Sequence, residues 1–218
     1  MSEKTLIAVM SCALYPERRA AVRDTWAQDV PAGVDLLFFR GINEVEHFQP
    51  EEPGLKILLA PDDYLQLPQK TYALVRYALE RGYTRLIKVD DDTYLNIQNA
   101  LKVLAKGDCV GFERKAPPHN EGIPYPQGGC YSLSQRAMWA VNGNPRVFTK
   151  GLEDAAVGRA LRTCGILITH DENVKTDYRK GPQPLEASTV SIHGLKNPAI
   201  MRDIHRTAKG HNLCVPQL

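Results

Sequence analysis

The chain has 218 residues, of which 43% are hydrophobic, so it can bury one sizeable core and lies near the upper size of a single domain. Its 27 basic and 25 acidic residues give a net charge of only +2, which excludes a non-specific nucleic-acid binder that neutralises many phosphates. The five cysteines are widely spaced and form no CxxC pair, so neither a zinc site nor a disulfide framework is indicated. We therefore predict one domain over residues 1–218.

Short apolar runs alternate with helical patterns along the chain. Strands are predicted at residues 5–11, 34–39, 55–59, 85–89, 108–112 and 166–169. Helices are predicted from Pro16, over 68–81, after the capping residue Asn96, over 153–164 and from Pro198. Because strands that alternate with helices form largely parallel sheets, we predict an α/β fold with a mostly parallel central sheet and helices on both faces.

Two segments do not fit this alternation. Residues 113–127 contain four prolines, and residues 171–188 are polar and contain two more, so both are predicted to be loops. Loops of this length in a compact domain often cover a substrate, and we predict that role for both.

Three carboxylates follow an apolar strand in LIKVDDDTYLN, residues 86–96. At an effective dielectric near 20, two like charges roughly 5 Å apart repel by about 3 kcal/mol, so a positive partner is expected. Side chains alternate along an extended chain, which places Asp90 and Asp92 on one face and Asp91 on the other. This pair suits one divalent cation, Mn²⁺ or Mg²⁺, and the carboxyl end of a strand is a common ligand site.

Other interpretations of the three carboxylates compete with a metal site. An EF-hand loop fails because its fifth, sixth and twelfth positions would be Tyr94, Leu95 and Leu101. A phosphatase of the haloacid-dehalogenase type has a similar Asp-x-Asp, but its threonine would fall at Tyr94, so it stays the weaker enzyme alternative. For an isolated DDD, a solvated acidic loop is as good an explanation as a metal site.

Several segments together resemble glycosyltransferase family 31, which holds β1,3-galactosyltransferases, β1,3-N-acetylglucosaminyltransferases and Fringe-like enzymes. RRAAVRDTW at 18–26 resembles the family's RxxxRxTW, and the segment 62–71 resembles its DxYxNLTxKT with departures at Gln66, Pro68 and Gln69. The remaining matches, in the family's order, are LIKVDDDTYLN to KxDDDxxxN, YPQGGCYSLS at 125–134 to YPxYxxGxGYxLS, and EDAAVG at 153–158 to EDVxxG. The resemblance covers residues 5–196, nearly the whole chain.

The resemblance implies a single GT-A domain, a nucleotide-binding α/β sandwich. It implies a hexosyltransferase that moves a sugar, galactose favoured, from a UDP-sugar to a glycan, glycoprotein or glycolipid hydroxyl. Inversion, a β1,3 linkage and Mn²⁺ are implied with it, since a cation stabilises the charge on the departing diphosphate. The close alternative donor is UDP-N-acetylglucosamine, and the alternative from another class is an inactive protein that binds a UDP-sugar or a glycan.

Carried over by position, the resemblance implies Asp92 as the principal metal ligand and His193 as the imidazole that completes the metal site. It implies Asp154 as the general base that takes the proton of the acceptor hydroxyl, while the role of Glu153 stays open. The donor-binding positions that it implies are Ser11, Arg18, Arg23, Asp62, Lys70, Asp90 and Asp91.

The start of the chain bears on its location. The apolar run at residues 5–14 is too short to cross a bilayer and lacks the basic flank of a signal peptide, so no transmembrane segment is predicted. If the sequence is complete, we expect a cytoplasmic protein, because the Golgi relatives carry a membrane anchor and a stem. If it is a trimmed catalytic domain, the Golgi lumen is the expected compartment.

Overall fold

A computed structural model describes residues 3–42, 52, 54–115, 122–149, 151–174 and 185–210. The strands are β1 (Thr5–Met10), β2 (Val34–Ile42), β3 (Leu55–Pro61), β4 (Arg85–Asp90), β5 (Thr93–Leu95), β6 (Cys109–Lys115), β7 (Pro124–Ser134), β8 (Ile168–His170) and β9 (Ser191–His193). The helices are α1 (Pro16–Asp24), α2 (Leu67–Glu80), α3 (Ile97–Val103), α4 (Gln135–Asn142), α5 (Glu153–Thr163) and α6 (Pro198–Gly210).

Seven strands form one sheet in the order β3-β2-β1-β4-β7-β6-β8. Strand β1 pairs in parallel with β2 and β4, whereas β7 runs antiparallel between β4 and β6. Every residue of β1 is buried, as expected of a parallel strand that is covered on both faces. Strands β5 and β9 form a separate antiparallel pair.

Helices cover both faces of the seven-stranded sheet. Leu6, Ala8 and Met10 of β1 belong to the core under α2, α4 and α5. Ile7 and Val9 belong to the opposite core, which α1, α3 and α6 cover. This division follows from the alternation of side chains along a strand. The predicted α/β fold, with a mostly parallel sheet and helices on both faces, is confirmed.

Four elements were not predicted from the sequence: β5, β7, α4 and β9. Strands β5 and β9 have three residues each, which is too short for alternation to be recognised. Strand β7 contains two prolines and two glycines, which the sequence patterns assign to turns and loops. Helix α4 has only eight residues, so its apolar face repeats too few times to be recognised.

The loop predicted over residues 113–127 is wrong at both ends. Strand β6 continues to Lys115 and β7 begins at Pro124, and these two residues pair with each other. The last paired residues of β4 and β7 are Val89 and Cys130, so the part of β7 that contains the prolines has no partner on the β4 side. Prolines are tolerated there because one side of the strand needs no ladder hydrogen bonds.

Parts of both predicted loops lie outside the described residues, namely 116–121 and 175–184. At the edges of the second segment, Glu172–Val174 form a short 3-10 helix, and residues 185–188 are in neither helix nor strand. The substrate-covering role of these segments and the single-domain assignment stay predictions. Among the described residues, no helix is both long and apolar enough to cross a membrane.

Candidate metal and active site

Asp90, Asp92 and His193 lie together at the carboxyl end of β4. One carboxylate oxygen from each aspartate and a ring nitrogen of the histidine lie within 4.8 Å of one another. Two carboxylates and an imidazole form a donor set that can hold a divalent cation. The residues therefore fit a divalent cation, and Asp91 points elsewhere, as the alternation of side chains predicted.

The pairing of β5 with β9 brings His193 to the aspartates. Thr93 is the register partner of His193, although the two are 100 residues apart in the chain. The backbone N–H of Leu195 donates to the carbonyl of Asp92 at 2.8 Å, which fixes the turn after β4. On the other side, the indole of Trp26 donates to the carbonyl of Thr93 at 3.0 Å. These bonds hold the cluster from two directions.

The hydrogen bonds around His193 indicate its tautomer. The Thr93 hydroxyl donates to the carbonyl of Gly129 at 3.1 Å, so its oxygen is left to accept from Nδ1 of His193 at 3.0 Å. Nδ1 also lies 3.2 Å from Oδ1 of Asp92. Assigning the proton to Nδ1 from this network leaves the Nε2 lone pair for a metal. Gly129 permits the arrangement, because a Cβ there would stand 2.5 Å from the His193 ring.

The pKa values of Asp92 and His193 reflect their contact. Burial raises the pKa of Asp92, but the hydrogen bond and charge of His193 outweigh burial and lower it overall. Burial lowers the pKa of His193, but the hydrogen bond to Asp92 and the nearby carboxylates raise it overall. Each side chain thus stabilises the charged form of the other.

Lys88, on β4, is the main positive partner of Asp90 and Glu153. Its ammonium donates to Oδ1 of Asp90 and to the carbonyl of Gly128, both at 2.6 Å, and lies 3.5 Å from Oε2 of Glu153. Burial lowers the pKa of Lys88, but the charges of Asp90 and Glu153 outweigh burial and raise it, so the lysine stays charged. The sequence analysis gave Lys88 no role. The signal was there: a lysine in an apolar strand, two residues from Asp90 and on the same face.

Glu153 and Asp154, the first two residues of α5, have different surroundings. Oε1 of Glu153 accepts from the hydroxyls of Thr71, at 3.0 Å, and Tyr131, and burial raises its pKa. Asp154 accepts from the N–H of the next residue at 2.8 Å and from the N–H of Gly128 at 3.3 Å. Burial raises the pKa of Asp154 as well. Within the described part of the chain, Asp154 accepts hydrogen bonds from backbone N–H groups and from no side chain, so it is the freer of the two carboxylates.

Asp91 belongs to a separate polar network at the end of β1. Ser11 donates its hydroxyl to Oδ2 of Asp91 at 2.6 Å and accepts from Nη1 of Arg19 at 2.9 Å. Arg18 reaches Oδ1 of Asp91 at 3.3 Å, and its guanidinium stacks on Tyr15 with 3.8 Å to the ring centroid. Burial raises the pKa of Asp91 to about 6, against the lowering effects of Ser11 and Arg18.

Lys70 and Asp62 connect the ends of three elements. Nζ of Lys70 donates to the carbonyl of Ser11 at 2.9 Å and lies 2.5 Å from Oδ1 of Asp62. Asp62 also accepts from the backbone N–H groups of Ala13 and Gly41, each at 2.8 Å. The carboxylate thus has three partners and joins β1, β2 and α2.

Two cavities lie along the carboxyl ends of the parallel strands. The wide cavity, of about 710 Å³, is lined mainly by the ends of β1, β2 and β3 and the start of α2, with Ser11, Asp62 and Lys70 among its residues. The acidic cavity, of about 420 Å³, is lined by residues of β4, β6, β7 and α5 together with His193. Tyr64 and Leu67 line both cavities, so the two form one cleft.

The predicted site residues divide between the two cavities, with one outlier. Those in or touching the lining of the wide cavity are Ser11, Arg18, Asp62, Lys70 and Asp91. Those in or touching the lining of the acidic cavity are Asp90, Asp92, Asp154 and His193. Arg23 instead ion-pairs with Glu52 and stacks on Phe38, outside both linings. The sequence analysis also missed Arg19, Thr93 and Arg114, of which Arg114 lines the acidic cavity.

Comparison with known proteins adds little to this geometry. No family model matches the chain, and no curated protein matches its sequence. A solved structure from Desulfovibrio desulfuricans G20, provisionally named a nucleotide-diphospho-sugar transferase, is similar at 13% identity and a TM-score of 0.47. The similarity covers 78% of this chain and 80% of that one. Similarity at this level assigns neither a family nor an activity to this chain.

Proposed function

We propose that the chain is a metal-dependent, inverting glycosyltransferase with a GT-A domain of the family 31 type. It moves a hexose, galactose favoured, from a UDP-sugar to an acceptor hydroxyl and forms a β1,3 linkage. The observation that carries the proposal is the position of the Asp90, Asp92 and His193 cluster at the strand ends. One side of the cluster has a cavity large enough for a nucleotide, and the other has a cavity that contains the carboxylate of Asp154.

The wide cavity is the proposed nucleotide site. Its volume, about 710 Å³, lies within the usual range of roughly 300–1,000 Å³ for ligand pockets. Ligands of open α/β sheets bind outside the carboxyl ends of the strands, which is where β1 ends at Ser11. Arg18 and Lys70 lie at the edge of this cavity, each paired with an aspartate, and are the proposed contacts of the diphosphate.

The metal site is the proposed diphosphate site. When bound, a cation such as Mn²⁺ neutralises the charge that develops on the diphosphate leaving group. Asp90, Asp92 and His193 would hold it. Lys88 orients Asp90 through its hydrogen bond to Oδ1, and the Thr93 hydroxyl keeps the Nε2 lone pair of His193 available.

Asp154 is the proposed general base. In a single displacement, the acceptor oxygen bonds to the anomeric carbon as the bond to the diphosphate breaks, and the acceptor proton passes to Asp154. The N–H groups of Gly128 and Ala155 hold the carboxylate, and burial raises its pKa, which strengthens it as a base. Glu153 has its oxygens turned to Thr71, Tyr131 and Lys88, so its proposed role is to balance the charge of Lys88.

A UDP-release screen tests the proposal directly. The protein is incubated with each common UDP-sugar, with and without Mn²⁺, and with simple glycosides as acceptors. We expect Mn²⁺-dependent UDP release with UDP-galactose, or with UDP-N-acetylglucosamine if that sugar is preferred.

Asp92→Asn is expected to weaken Mn²⁺-dependent UDP binding at least about tenfold by calorimetry. The absence of metal-dependent turnover with every UDP-sugar would refute the enzyme, whether or not UDP binds, and Mg²⁺-dependent phosphate release would favour the phosphatase.

A further inference from the structure

Five arginine and lysine side chains of the described part of the chain line or border the cleft, and four of them are paired with carboxylates. These pairs are Arg18 with Asp91, Arg19 with Glu52, Lys70 with Asp62, and Lys88 with Asp90. Arg114 differs, because no carboxylate of the described residues lies within ion-pair distance of it. Its polar contact is a long hydrogen bond from Nε to Oε1 of Gln127 at 3.4 Å, and its guanidinium lies 5.5 Å from the Phe112 ring centroid.

The sheet order locates Arg114 relative to the rest of the cleft. Arg114 is on β6 and is the register partner of Tyr125 on β7, and both residues line the acidic cavity. Strand β6 is two strands beyond β4 on the side away from β1, β2 and β3. At about 4.8 Å between neighbouring strands, it lies roughly 10 Å from the strand that carries Asp90. Arg114 is therefore at the end of the cleft opposite the nucleotide site, beside the space proposed for the acceptor.

The charges of the acidic cavity make this guanidinium unusual. Asp90, Glu153 and Asp154 line the same cavity, and Lys88 is fully occupied by its own partners. An acceptor group with negative charge would be repelled by these carboxylates unless a cation received it. The planar guanidinium forms two parallel hydrogen bonds to a carboxylate or a phosphate, which makes it a better receiver than an ammonium.

We propose that Arg114 binds an anionic group of the acceptor, a carboxylate as in a uronic acid or a phosphate as in a sugar phosphate. This inference rests on the proposed function, because it assumes that the acidic cavity receives the acceptor. It adds a substrate class to that function: acceptors with a negative charge on the side away from the reacting hydroxyl.

Matched acceptors test the inference. UDP release is measured with a β-glucuronide and the corresponding β-glucoside, with a β-galacturonide and the corresponding β-galactoside, and with the 6-phosphate of each neutral glycoside. We expect at least one charged acceptor to exceed its neutral counterpart about tenfold or more in kcat/KM. If a uronide is preferred over its neutral counterpart, the group bound by Arg114 is a carboxylate. If a 6-phosphate is preferred, the group is a phosphate.

Variants show whether Arg114 is the cause of the preference. Arg114→Gln is expected to raise KM for the preferred charged acceptor about tenfold to hundredfold, with kcat, the neutral acceptor and Mn²⁺-dependent UDP binding little changed. Arg114→Lys should keep part of the preference, because it keeps the charge. The exposed neighbour Lys115 provides the matched control, Lys115→Gln, which should match the wild type.

The results of these assays distinguish failure of the inference from failure of the proposed function. UDP release without a preference for any charged acceptor, or a preference that survives Arg114→Gln, overturns the inference and leaves the proposed function standing. The absence of metal-dependent UDP release with every donor overturns the proposed function and the inference together. Loss of thermal stability in Arg114→Gln but not in Lys115→Gln would assign Arg114 a structural role and overturn the inference as well.

Discussion

The two ends of the cleft each contain a fully buried lysine, but the charges around the two lysines differ. At the wide cavity, Lys70 pairs with Asp62, whose carboxylate also accepts two backbone N–H bonds. At the acidic cavity, Lys88 faces both Asp90 and Glu153. Without its lysine, Asp62 would keep two backbone partners, whereas Glu153 would be left buried, with the hydroxyls of Thr71 and Tyr131 as its remaining partners among the described residues. In the proposed function, Lys70 stabilises the nucleotide-binding site and Lys88 balances the charge of the reaction site.

This difference agrees with the two tasks that the proposed function gives to the two cavities. The wide cavity has satisfied polar groups and the larger volume, as a binding site requires. The acidic cavity brings together groups whose pKa values are shifted by burial and by one another, as catalytic sites often do. Changes at the acidic end should therefore affect turnover and metal binding, while changes at the wide end should affect nucleotide binding and the local fold.

The largest expected effect is on turnover at the acidic end. Asp154→Asn removes the proposed base and should lower kcat about 10²- to 10⁴-fold, with little change in Mn²⁺-dependent UDP affinity. Kinetics of UDP release and calorimetry with UDP provide the two measurements. Asp203→Asn, on the exposed face of α6, is the matched control and should keep full activity. A kcat within a few-fold of the wild type in Asp154→Asn would place the base elsewhere.

The two lysines give the most direct test of the comparison. Lys88→Met should lower the free energy of unfolding by about 3–5 kcal/mol, because it leaves buried charge unpaired. Lys70→Met should cost less, about 1–3 kcal/mol, because Asp62 keeps its backbone partners. Lys102→Met, on an exposed position of α3, is the control and should stay within about 0.5 kcal/mol. Urea unfolding measures all three variants.

A double variant identifies the source of the cost at Lys88. Glu153→Gln in the Lys88→Met background removes the unpaired carboxylate and should recover part of the lost stability. Equal losses in Lys88→Met and Lys70→Met, with no recovery in the double variant, would mean that the two ends do not differ in charge balance.

A smaller effect is expected at the glycine beside the metal site. Gly129→Ala puts a Cβ at 2.5 Å from the His193 ring, so the ring must move away from its position beside Asp92. Mn²⁺-dependent UDP binding should weaken about tenfold to hundredfold, while UDP binding without metal stays the same. In the control Gly143→Ala, the new Cβ meets its nearest neighbour at 3.4 Å, so no change is expected. Unaltered metal dependence in Gly129→Ala would remove His193 from the metal site.

The smallest effect concerns pH and the wide end. The pKa of Asp91 is raised to about 6 in the fold, so its contribution to stability is complete below its unfolded pKa and is lost as pH rises through about 6. Asp91→Asn, which stays neutral, should gain stability over the wild type on the order of 1 kcal/mol at about pH 8 and little at about pH 4. Urea unfolding at the two pH values, without added metal, measures this. A stability difference that does not change with pH would show that folding does not raise the pKa of Asp91.

Prediction from the sequence succeeded where a pattern is local and long enough to repeat. The buried strand Thr5–Met10, the helix Leu67–Glu80 and the capping of α3 by Asn96 all depend on near neighbours in the chain. At the site, the prediction that Asp90 and Asp92 lie together, apart from Asp91, agrees with the structure, although Asp91 and Asp92 are in a turn after β4 and not in an extended strand. Alternation along β4 also places Lys88 on the same face as Asp90, but the prediction treated this mostly apolar strand only as part of the core. Strand β7 was missed because its prolines and glycines suit a strand only where one side is unpaired.

The sequence by itself determined the layered α/β architecture and the acidic strand end, because apolar periodicity and side-chain alternation are properties of adjacent residues. The tertiary structure alone decided which distant residues meet there. The pairing of β5 with β9 puts His193 against Asp92, and the placement of α5 beside β7 puts Asp154 on the N–H of Gly128. Only the fold brings Lys88 into contact with Glu153, because burial of both faces of β4 leaves the lysine no route to water. Contacts between residues tens of positions apart depend on strand order and packing, which no local pattern specifies.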